Sequence, residues 1–279
     1  MSEPGVVLSG RYRLDERVGA GGAGVVYRAT DLLSSAPVAV KLLHGGGDFD
    51  RRRFDREVAI LRELDHPNIV RFADDGSDPT HGAFLIMEWL EGETLTARLK
   101  RGRLSEDGTL TLGIAIASAL EHAHSHGVVH RDVKPSNIWL AGGDPTTPRL
   151  LDFGISKSRS QEKLTRTGEA FGTIGYMAPE QVCADQPVDL RADVFSLGCV
   201  LFECVTGTLP FRADTPQGWL MKLALEDPLR ADHVIPDVGR SLADVLAKML
   251  AVQPPARTRS MAEVQSALRL SRTAEGAPV

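Results

Sequence analysis

The sequence has few cysteines and no long apolar segment. Its three cysteines, Cys183, Cys199 and Cys204, fit neither a disulfide framework nor a metal site built from cysteine pairs. The longest apolar stretches, Leu112–Leu120 and Val194–Val205, are shorter than the roughly 18 residues that a membrane-spanning helix needs. The first residues also lack the basic start and apolar core of a signal peptide. We therefore expect a cytoplasmic protein with no membrane segment in this chain.

Lysine is also scarce, and the charge balance is mildly acidic. Seven lysines and 25 arginines are outnumbered by 37 acidic residues, and the formal net charge is -5. This charge argues against a nucleic-acid partner, since the phosphate backbone attracts strongly basic surfaces. The 42% hydrophobic and 25% charged content is typical of a folded globular protein rather than a disordered or fibrous one.

Hydrophobic patterning predicts that the first part of the chain is rich in β-structure. An amphipathic helix is expected near Arg51–Leu64, because its apolar residues recur on one stripe. The other apolar or alternating runs are short and contain many β-branched residues, which is typical of strands. The expected strands are Arg11–Val18, Val25–Ala29, Val38–Leu43, Ile69–Phe72 and Ala83–Met87.

The pattern becomes helical after Leu95. Apolar residues recur at helical spacing through 110–120, 194–205 and 242–250. A last helix is expected after Ser260, where Ser260 and Glu263 form a capping-box pattern. The fold class predicted is α+β, with a small antiparallel sheet and one main helix, followed by a larger, mainly helical part. The boundary is expected at about 88–94.

A glycine-rich segment interrupts the first strands. It fits the pattern G-x-G-x-x-G-x-V, whose backbone N–H groups can approach phosphate oxygens closely. A dinucleotide-binding unit would instead need a helix directly after the glycines and an acidic residue about 20 residues later. Here a strand follows and that carboxylate is missing. The candidate phosphate-binding residues are Gly19, Ala20, Gly21, Gly22, Ala23, Gly24 and Val26.

Lys41 is one of the few lysines, and it ends the run Val38-Ala39-Val40-Lys41. Sixteen residues later, Glu57 lies at the edge of the apolar stripe of the predicted helix. An unpaired carboxylate there would be costly, so a cationic partner is expected. A Lys41–Glu57 ion pair would hold the ammonium group for nucleotide phosphates. The alternative is that Lys41 is an ordinary surface residue at a strand end.

Three polar clusters follow in the second half of the chain. The first is flanked by apolar residues on both sides, which places its polar groups between buried anchors, and the second follows the apolar pair Leu150-Leu151. Two members, Asn137 and Asp152, offer the hard oxygen ligands that Mg²⁺ prefers. The clusters are His130-Arg131-Asp132-Val133-Lys134-Pro135-Ser136-Asn137, Asp152-Phe153-Gly154 and Ala178-Pro179-Glu180.

In order and spacing, these motifs resemble the signature of the eukaryotic-like (Hanks-type) bacterial serine/threonine protein kinases. The resemblance covers about residues 12–270 and implies a two-lobed protein-kinase fold. It implies an N-terminal extension at 1–10, a kinase domain at 11–270 and a tail at 271–279. Within the domain, the N-lobe would span about 11–87, the hinge about 88–94 and the C-lobe about 95–270.

The resemblance also implies a role for each motif residue in transferring the γ-phosphate of ATP to protein Ser/Thr hydroxyls. Asp132 would accept or orient the hydroxyl proton, and Lys134 would neutralise the γ-phosphate. Asn137 and Asp152 would hold Mg²⁺, with Mn²⁺ as its alternative. Lys41 would bind the α- and β-phosphates.

The adenine site implied by the resemblance lies at the end of the first part. Met87 would be the gatekeeper, and the backbone of Glu88 and Leu90 would hydrogen-bond to adenine. Ala39 and Val26 would complete the nucleotide site.

Activation by phosphorylation is a further implication. Thr165 and Thr167 stand where similar bacterial kinases autophosphorylate, and Arg131 would pair with the added phosphate. A homodimer is an expected partner state for this activation. Two other classes were considered: a catalytically inactive scaffold and a small-molecule phosphotransferase. The filled catalytic positions disfavour the scaffold, and the long segment between Asp152 and Glu180, which builds a peptide platform, disfavours the phosphotransferase.

Several other residues have a structural interpretation. Cys199 and Cys204 are expected to be small buried thiols. Glu180 and Arg257 are expected to form a buried pair, and Asp193 is expected to be structural. The alternating His122, His124 and His126 are interpreted as cations at a helix C-terminus rather than as metal ligands.

Overall fold

The computed structural model describes residues 5–21, 24–43, 51–152, 174–183, 187–213 and 215–275. These residues form two compact units, the first ending at Glu91 and the second beginning at Gly92. In the described part of the chain, no helix combines the length and apolarity needed to cross a membrane.

The first unit is a six-stranded antiparallel sheet with one helix. The strand order is β1-β2-β3-β4-β6-β5, so only β5 and β6 exchange their places relative to the sequence. The elements are β1 (Val7–Leu8), β2 (Tyr12–Gly21), β3 (Gly24–Asp31), β4 (Pro37–Leu43), α1 (Arg51–Glu63), β5 (Phe72–Asp78) and β6 (Gly82–Glu88).

The two faces of this sheet have different roles. One face forms a core around Tyr27, Val40 and Ile86, all of which are buried. Helix α1 packs on the opposite face, where Phe54 and Val58 contact a cluster that includes Leu85. Successive residues of a strand point to alternate faces, so Lys41, opposite Leu85 in the register, lies on the face that α1 covers.

The predicted strand at Ile69–Phe72 is wrong, because the strand runs over Phe72–Asp78 instead. Its sequence, FADDGSD, lacks the β-branched residues by which strands are usually recognised. It lies at the edge of the sheet, where charged residues protect against further strand pairing. Tertiary contacts hold it there: the Asp74 carboxylate accepts a 2.7 Å hydrogen bond from the Tyr12 hydroxyl.

The second unit is mainly helical and contains a small three-stranded sheet, with strand order β7-β8-β9. The sheet consists of three- and four-residue strands that hydrophobic patterning did not predict. The elements are β7 (Gly92–Thr94), α2 (Leu95–Leu99), α3 (Glu106–Ser125), β8 (Ile138–Ala141), β9 (Pro148–Leu150), α4 (Pro179–Cys183), α5 (Arg191–Thr206), α6 (Pro216–Leu225), α7 (Ala231–Val234), α8 (Arg240–Met249) and α9 (Met261–Glu275).

Helix α5 is the centre of the second unit. Almost all of its residues are buried, which explains why it is apolar on every side rather than along one stripe. Helix α3 approaches it closely at Gly113, where a Cβ atom would lie 2.9 Å from the Leu201 Cδ1 atom. A buried α5 therefore provides a rigid support for the residues that contact it.

The predicted cap of the last helix, α9, is confirmed, since the Ser260 Oγ accepts a 3.2 Å hydrogen bond from the Glu263 N–H.

Candidate active site

The loop that contains Asp132 is anchored to α5 by Asp193. The Asp193 side chain is fully buried, and its two oxygens accept hydrogen bonds from the His130 and Arg131 backbone N–H groups, both at 2.8 Å. Arg131 has a φ of +62°, a left-handed conformation that costs free energy in a non-glycine residue and persists only where neighbours enforce it. Asp193 supplies that constraint, in agreement with its expected structural role.

His124 lies in the last turn of α3, as expected, and it also contacts Asp193. Its Nε2 atom lies 2.8 Å from the Asp193 Oδ2 atom, and its side chain is only 5% exposed. Helix α3 therefore helps to orient Asp193 from behind the loop. The sequence pattern of alternating histidines gave no sign of this contact, because its partner is 69 residues away.

His130 connects the loop to the strand end that precedes Asp152. Its Nε2 lies 2.9 Å from the Leu151 carbonyl oxygen, and its Nδ1 lies 3.2 Å from the Asp132 N–H nitrogen. A carbonyl requires a donor and an N–H requires an acceptor, so the tautomer protonated at Nε2 satisfies both contacts. The imidazole thus fixes the backbone of Asp132 relative to the Leu151–Asp152 segment.

The Asp132 carboxylate is at the centre of a polar cluster. Its Oδ2 atom lies 3.2 Å from the Lys134 ammonium and 3.0 Å from the Asn137 Nδ2 atom. The same Nδ2 group donates to the Asp132 carbonyl at 2.9 Å, so Asn137 holds both the backbone and the side chain of Asp132. The structure therefore brings these three sequence-predicted residues together and places the Asp132 carboxylate next to the Lys134 ammonium group.

One backbone hydrogen bond connects the segment of Asn137 with the segment of Asp152. The Leu151 N–H donates to the Asn137 carbonyl at 2.8 Å, and Asp152 follows directly, with a φ of +54°. Because the Asn137 Nδ2 group is used by Asp132, its Oδ1 is the side-chain atom that can face a cation. An amide oxygen and a carboxylate are hard ligands that fit a divalent ion such as Mg²⁺. Within the described ranges, no three His, Cys, Asp or Glu residues form a metal-binding cluster.

Two residues that follow Pro179 attach the 174–183 segment to the rest of the unit. Glu180 and Arg257 form the expected buried pair, with N–O distances of 2.6 and 2.8 Å. Gln181 was not singled out by its sequence, yet its Nε2 donates to the Arg131 carbonyl at 3.0 Å. Its Oε1 accepts from the Ala178 N–H at 3.0 Å. The segment is therefore hydrogen-bonded directly to the loop that carries Asp132.

Tyr176 and Glu203 form a second contact that sequence patterns missed. The Tyr176 hydroxyl donates to the Glu203 Oε2 atom at 2.5 Å. Burial raises the pKa of Glu203, while the hydrogen bond from Tyr176 opposes that shift. Cys199 and Cys204 are buried in α5, as expected, and this burial raises the pKa of both thiols.

In the first unit, the glycine-rich segment connects β2 and β3. Gly19 pairs with Val26, and Gly21 pairs with Gly24. Gly24 has a φ of +156°, and a Cβ atom there would lie 2.1 Å from the Leu42 carbonyl oxygen. The two strands that flank the motif are therefore paired antiparallel, and Gly24 is needed for the close approach of β4.

Four of the candidate nucleotide-binding residues lie on one face of the first sheet. Val26 is opposite Lys41, and Ala39 is opposite Met87, two residues further along β4. Directly opposed residues share a face, as do residues two apart. Lys41 is the most buried of the four, with 8% exposure, so it is not the ordinary surface lysine of the alternative interpretation.

Glu88 ends β6, and its contacts limit which of its atoms can bind a ligand. Its N–H donates to the Arg71 carbonyl at 3.0 Å, and its side-chain Oε1 accepts from the Arg71 N–H at 2.8 Å. Because the N–H group is already used, the carbonyl is the backbone group of Glu88 that can be assigned to a ligand. Leu90 follows the end of the strand and is half-buried.

Some of the predicted site residues lie outside what the structure describes. These are Gly22, Ala23, Thr165 and Thr167, together with the side chain of Glu57, whose backbone belongs to α1.

The comparison with known proteins agrees with this arrangement. The family described as protein kinase domain matches residues 12–268. The DNA damage-responsive serine/threonine-protein kinase RqkA of Deinococcus radiodurans is 41% identical over 258 residues, covering 88% of this chain and 38% of RqkA. The serine/threonine-protein kinase PknH of Mycobacterium tuberculosis is 39% identical over 262 residues, covering 92% of this chain and 41% of PknH.

Solved structures give the same result. The crystal structure of the M. tuberculosis PknI kinase domain superposes with a TM-score of 0.76 at 27% identity, covering 98% of this chain and all of that one. Rad53 1–466 in complex with AMP-PNP gives a TM-score of 0.75 at 27% identity, covering 90% of this chain and 63% of that one.

The chain belongs to the protein kinase family, as a serine/threonine protein kinase domain with the two-part α+β fold of that family. Members of the protein kinase family use ATP and a divalent metal ion. The chain spans about two fifths of the length of the curated relatives it matches.

Proposed function

We propose that this protein transfers the γ-phosphate of ATP to serine and threonine hydroxyls of other proteins. The observation that carries the proposal is the cluster of Asp132, Lys134 and Asn137, with the Asp132 carboxylate 3.2 Å from the Lys134 ammonium. Phosphoryl transfer requires positioning and charge neutralisation rather than covalent chemistry by the enzyme, and this cluster provides both.

Each residue of the cluster has a distinct part in the reaction. The substrate hydroxyl oxygen forms a bond to the γ-phosphorus while the bond from that phosphorus to the leaving oxygen of ADP breaks. Asp132 orients the hydroxyl and accepts its proton. Lys134 neutralises negative charge on the transferred group, and Asn137 keeps the Asp132 carboxylate in place through its 3.0 Å hydrogen bond.

We assign Asn137 and Asp152 to the divalent metal and propose that it is Mg²⁺, with Mn²⁺ as its alternative. Their hard oxygen donors support this choice. The ion would neutralise phosphate charge and hold the phosphates in line for attack. The assignment is supported by the backbone hydrogen bond from Leu151 to Asn137, which connects the two segments, and by the left-handed conformation of Asp152.

In the first unit, we assign the nucleotide to the glycine-rich segment Gly19–Gly24 and the face of β4. The segment is proposed to bind phosphate through backbone N–H groups, and Lys41 to supply the cation. Glu57 is proposed as the partner of Lys41, which is supported by the packing of α1 on the face that carries Lys41. Met87, the carbonyl of Glu88 and the backbone of Leu90 are proposed to receive adenine, next to Ala39 and Val26.

The direct test is transfer of radiolabel from [γ-³²P]ATP to a generic protein substrate, followed by phosphoamino-acid analysis. We expect label on serine and threonine, loss of transfer on chelation with EDTA, and recovery on addition of Mg²⁺ or Mn²⁺. Transfer that survives EDTA would contradict the assigned metal role. Absence of transfer, with ATP still bound, would instead favour a binding scaffold.

We also propose that phosphorylation of Thr167, and of Thr165 with it, activates the enzyme through Arg131. A phosphothreonine carries nearly two negative charges and strong acceptor oxygens for a guanidinium. The double variant Thr165→Ala/Thr167→Ala is expected to lose autophosphorylation and to have about tenfold lower activity, the effect of one charge-assisted hydrogen bond of roughly 1.5 kcal/mol. Mass spectrometry and initial rates measure both.

Full activity and unchanged phosphate content in this double variant would contradict the assignment. The matched control is Thr111→Ala, since Thr111 is a threonine on α3, remote in sequence from 165–167.

We further propose a kinase domain at 11–270, between an extension at 1–10 and a tail at 271–279. We also propose that the protein is activated as a homodimer and that it is located in the cytoplasm.

A further inference from the structure

Trp89 lies between Glu88 and Leu90, the two residues whose backbone is assigned to adenine. Its half-buried ring is covered by the Arg28 guanidinium, whose Cζ atom lies 5.6 Å from the ring centroid. A cation within about 6 Å of the face of a tryptophan is attracted by the π-system. The indole N–H also donates to the Glu91 Oε1 atom at 2.7 Å. Two contacts within the first unit therefore hold the Trp89 side chain.

Arg28 reaches Trp89 from the face of the first sheet that is assigned to the nucleotide. It lies on β3 opposite Ala39, two residues beyond Val26, and Ala39 is itself opposite Met87. Directly opposed residues share a face, as do residues two apart. The contact therefore connects β3 with the segment that leaves β6, next to residues assigned to adenine.

Glu88 is held separately, by Arg71. Its N–H donates to the Arg71 carbonyl at 3.0 Å, and its Oε1 accepts from the Arg71 N–H at 2.8 Å. The Glu88 carbonyl belongs to the peptide plane that joins Glu88 to Trp89, so its direction depends on the backbone of these two residues. Because both residues are held, the direction of this carbonyl is restricted.

The direction of the carbonyl matters because adenine and guanine differ in the group at position 6. Adenine carries an amino donor there, whereas guanine carries an oxygen acceptor. A fixed carbonyl can accept from adenine, but with guanine it places two acceptors against each other, and an unpaired polar group in a binding site is costly. A backbone free to rotate could turn an N–H group towards the guanine oxygen. Restricting the Glu88–Trp89 peptide is therefore a means of selecting the base.

We propose that Arg28 and Trp89 are positioning residues that fix the Glu88 carbonyl and thereby select adenine over guanine nucleotides. Neither side chain is assigned to touch the base, and both act through the backbone of 88–90. The proposal rests on the nucleotide site of the proposed function and adds the residues that determine which base this site takes.

The test compares kcat and KM for ATP and for GTP with a saturating protein substrate. Wild type is expected to have an at least about tenfold lower KM for ATP, since a mispaired base group is rejected strongly. Trp89→Ala removes the stack and the hydrogen bond, and is expected to raise the KM for ATP about tenfold, the value of these two contacts together. The KM for GTP and the kcat with ATP should change by less than about twofold, because only binding of adenine is affected.

Three milder variants divide the contact into its parts. Arg28→Met removes the cation at similar length and is expected to raise the KM for ATP about three- to fivefold. Arg28→Lys, which keeps a cation, should lie between Arg28→Met and wild type. Trp89→Phe keeps the ring without the N–H and should lie between Trp89→Ala and wild type. A residue that only stabilised the fold would not change the KM for one nucleotide alone.

Arg13→Met is the matched control, since Arg13 is an exposed arginine on β2 of the same sheet. It should leave both KM values unchanged. The second measurement is binding of ATP and of GTP to the Asp132→Asn chain by isothermal titration calorimetry, which does not require transfer. Trp89→Ala in that background is expected to weaken ATP binding about tenfold and to leave GTP binding nearly unchanged.

Three outcomes would overturn the proposal. The first is a wild type that does not distinguish ATP from GTP, and the second is an equal loss of both nucleotides in Trp89→Ala, which would give Trp89 a structural role alone. The third is wild-type selectivity in Arg28→Met, a variant that leaves the indole in place and so tests the proposal even where Trp89→Ala does not fold. Trp89-dependent selectivity in binding without any transfer would instead count against the kinase function alone.

Discussion

Replacing Asp132 by asparagine is expected to lower the rate of phosphoryl transfer by about 10²- to 10⁴-fold, the contribution of a positioned general base. Asparagine has nearly the same shape but cannot take up the hydroxyl proton. It also removes the negative charge that the Lys134 ammonium contacts at 3.2 Å. The measurement is kcat and KM with [γ-³²P]ATP and a saturating protein substrate.

This substitution is expected to change kcat rather than KM for ATP, because the nucleotide is assigned to the first unit. The matched control is Asp107→Asn, an exposed acid in the first turn of α3, which should leave kcat unchanged. Thermal unfolding of both variants should stay close to wild type. If the Asp132→Asn enzyme kept more than a tenth of the wild-type kcat, Asp132 would not be the base.

Most of the site was predictable because its residues are close in sequence. Asp132, Lys134 and Asn137 lie within six positions, and the structure brings their side chains into direct contact. The central helices were predictable as well, since a run as apolar as 194–205 must be buried. The sequence pattern therefore identified the residues of the 130–137 loop and predicted that this loop lies between buried apolar residues.

The contacts that fix the shape of the loop were not predictable in the same way. His124 and Gln181 act on it through Asp193 and the Arg131 carbonyl, over separations of 69 and 50 residues. Neither residue type is unusual at its position, so no local signal distinguishes them. The strand β5 was missed for a related reason: its residues are polar, and its place is set by pairing with β6 rather than by its own propensity.

Replacing Arg257 by methionine is expected to lower the free energy of unfolding by about 3–5 kcal/mol, the cost of leaving one member of a buried ion pair alone. Arg257 is almost completely buried, and all five of its N–H groups have acceptors. Two of them bind Glu180, and the other three bind the carbonyls of Ala251, Val252 and Arg191. Methionine would leave the Glu180 carboxylate and three carbonyls without these donors.

The effect should also reach the active site, because Glu180 precedes Gln181, which holds the Arg131 carbonyl. We therefore expect a lower kcat as well as a lower unfolding midpoint in urea. Arg259→Met is the matched control: Arg259 is exposed two residues away and should change stability by less than about 0.5 kcal/mol. Equal unfolding midpoints for the two variants would show that the pair does not stabilise the fold.

A double-mutant cycle separates the pair from the rest of the Arg257 contacts. Glu180→Gln/Arg257→Met removes the uncompensated carboxylate, so its cost should be smaller than the sum of the single variants by about 1–3 kcal/mol. It should still be less stable than wild type, because the Ala251, Val252 and Arg191 carbonyls remain without their donor. Strict additivity would mean that the stabilisation comes from these carbonyls alone, with Glu180 taking no part.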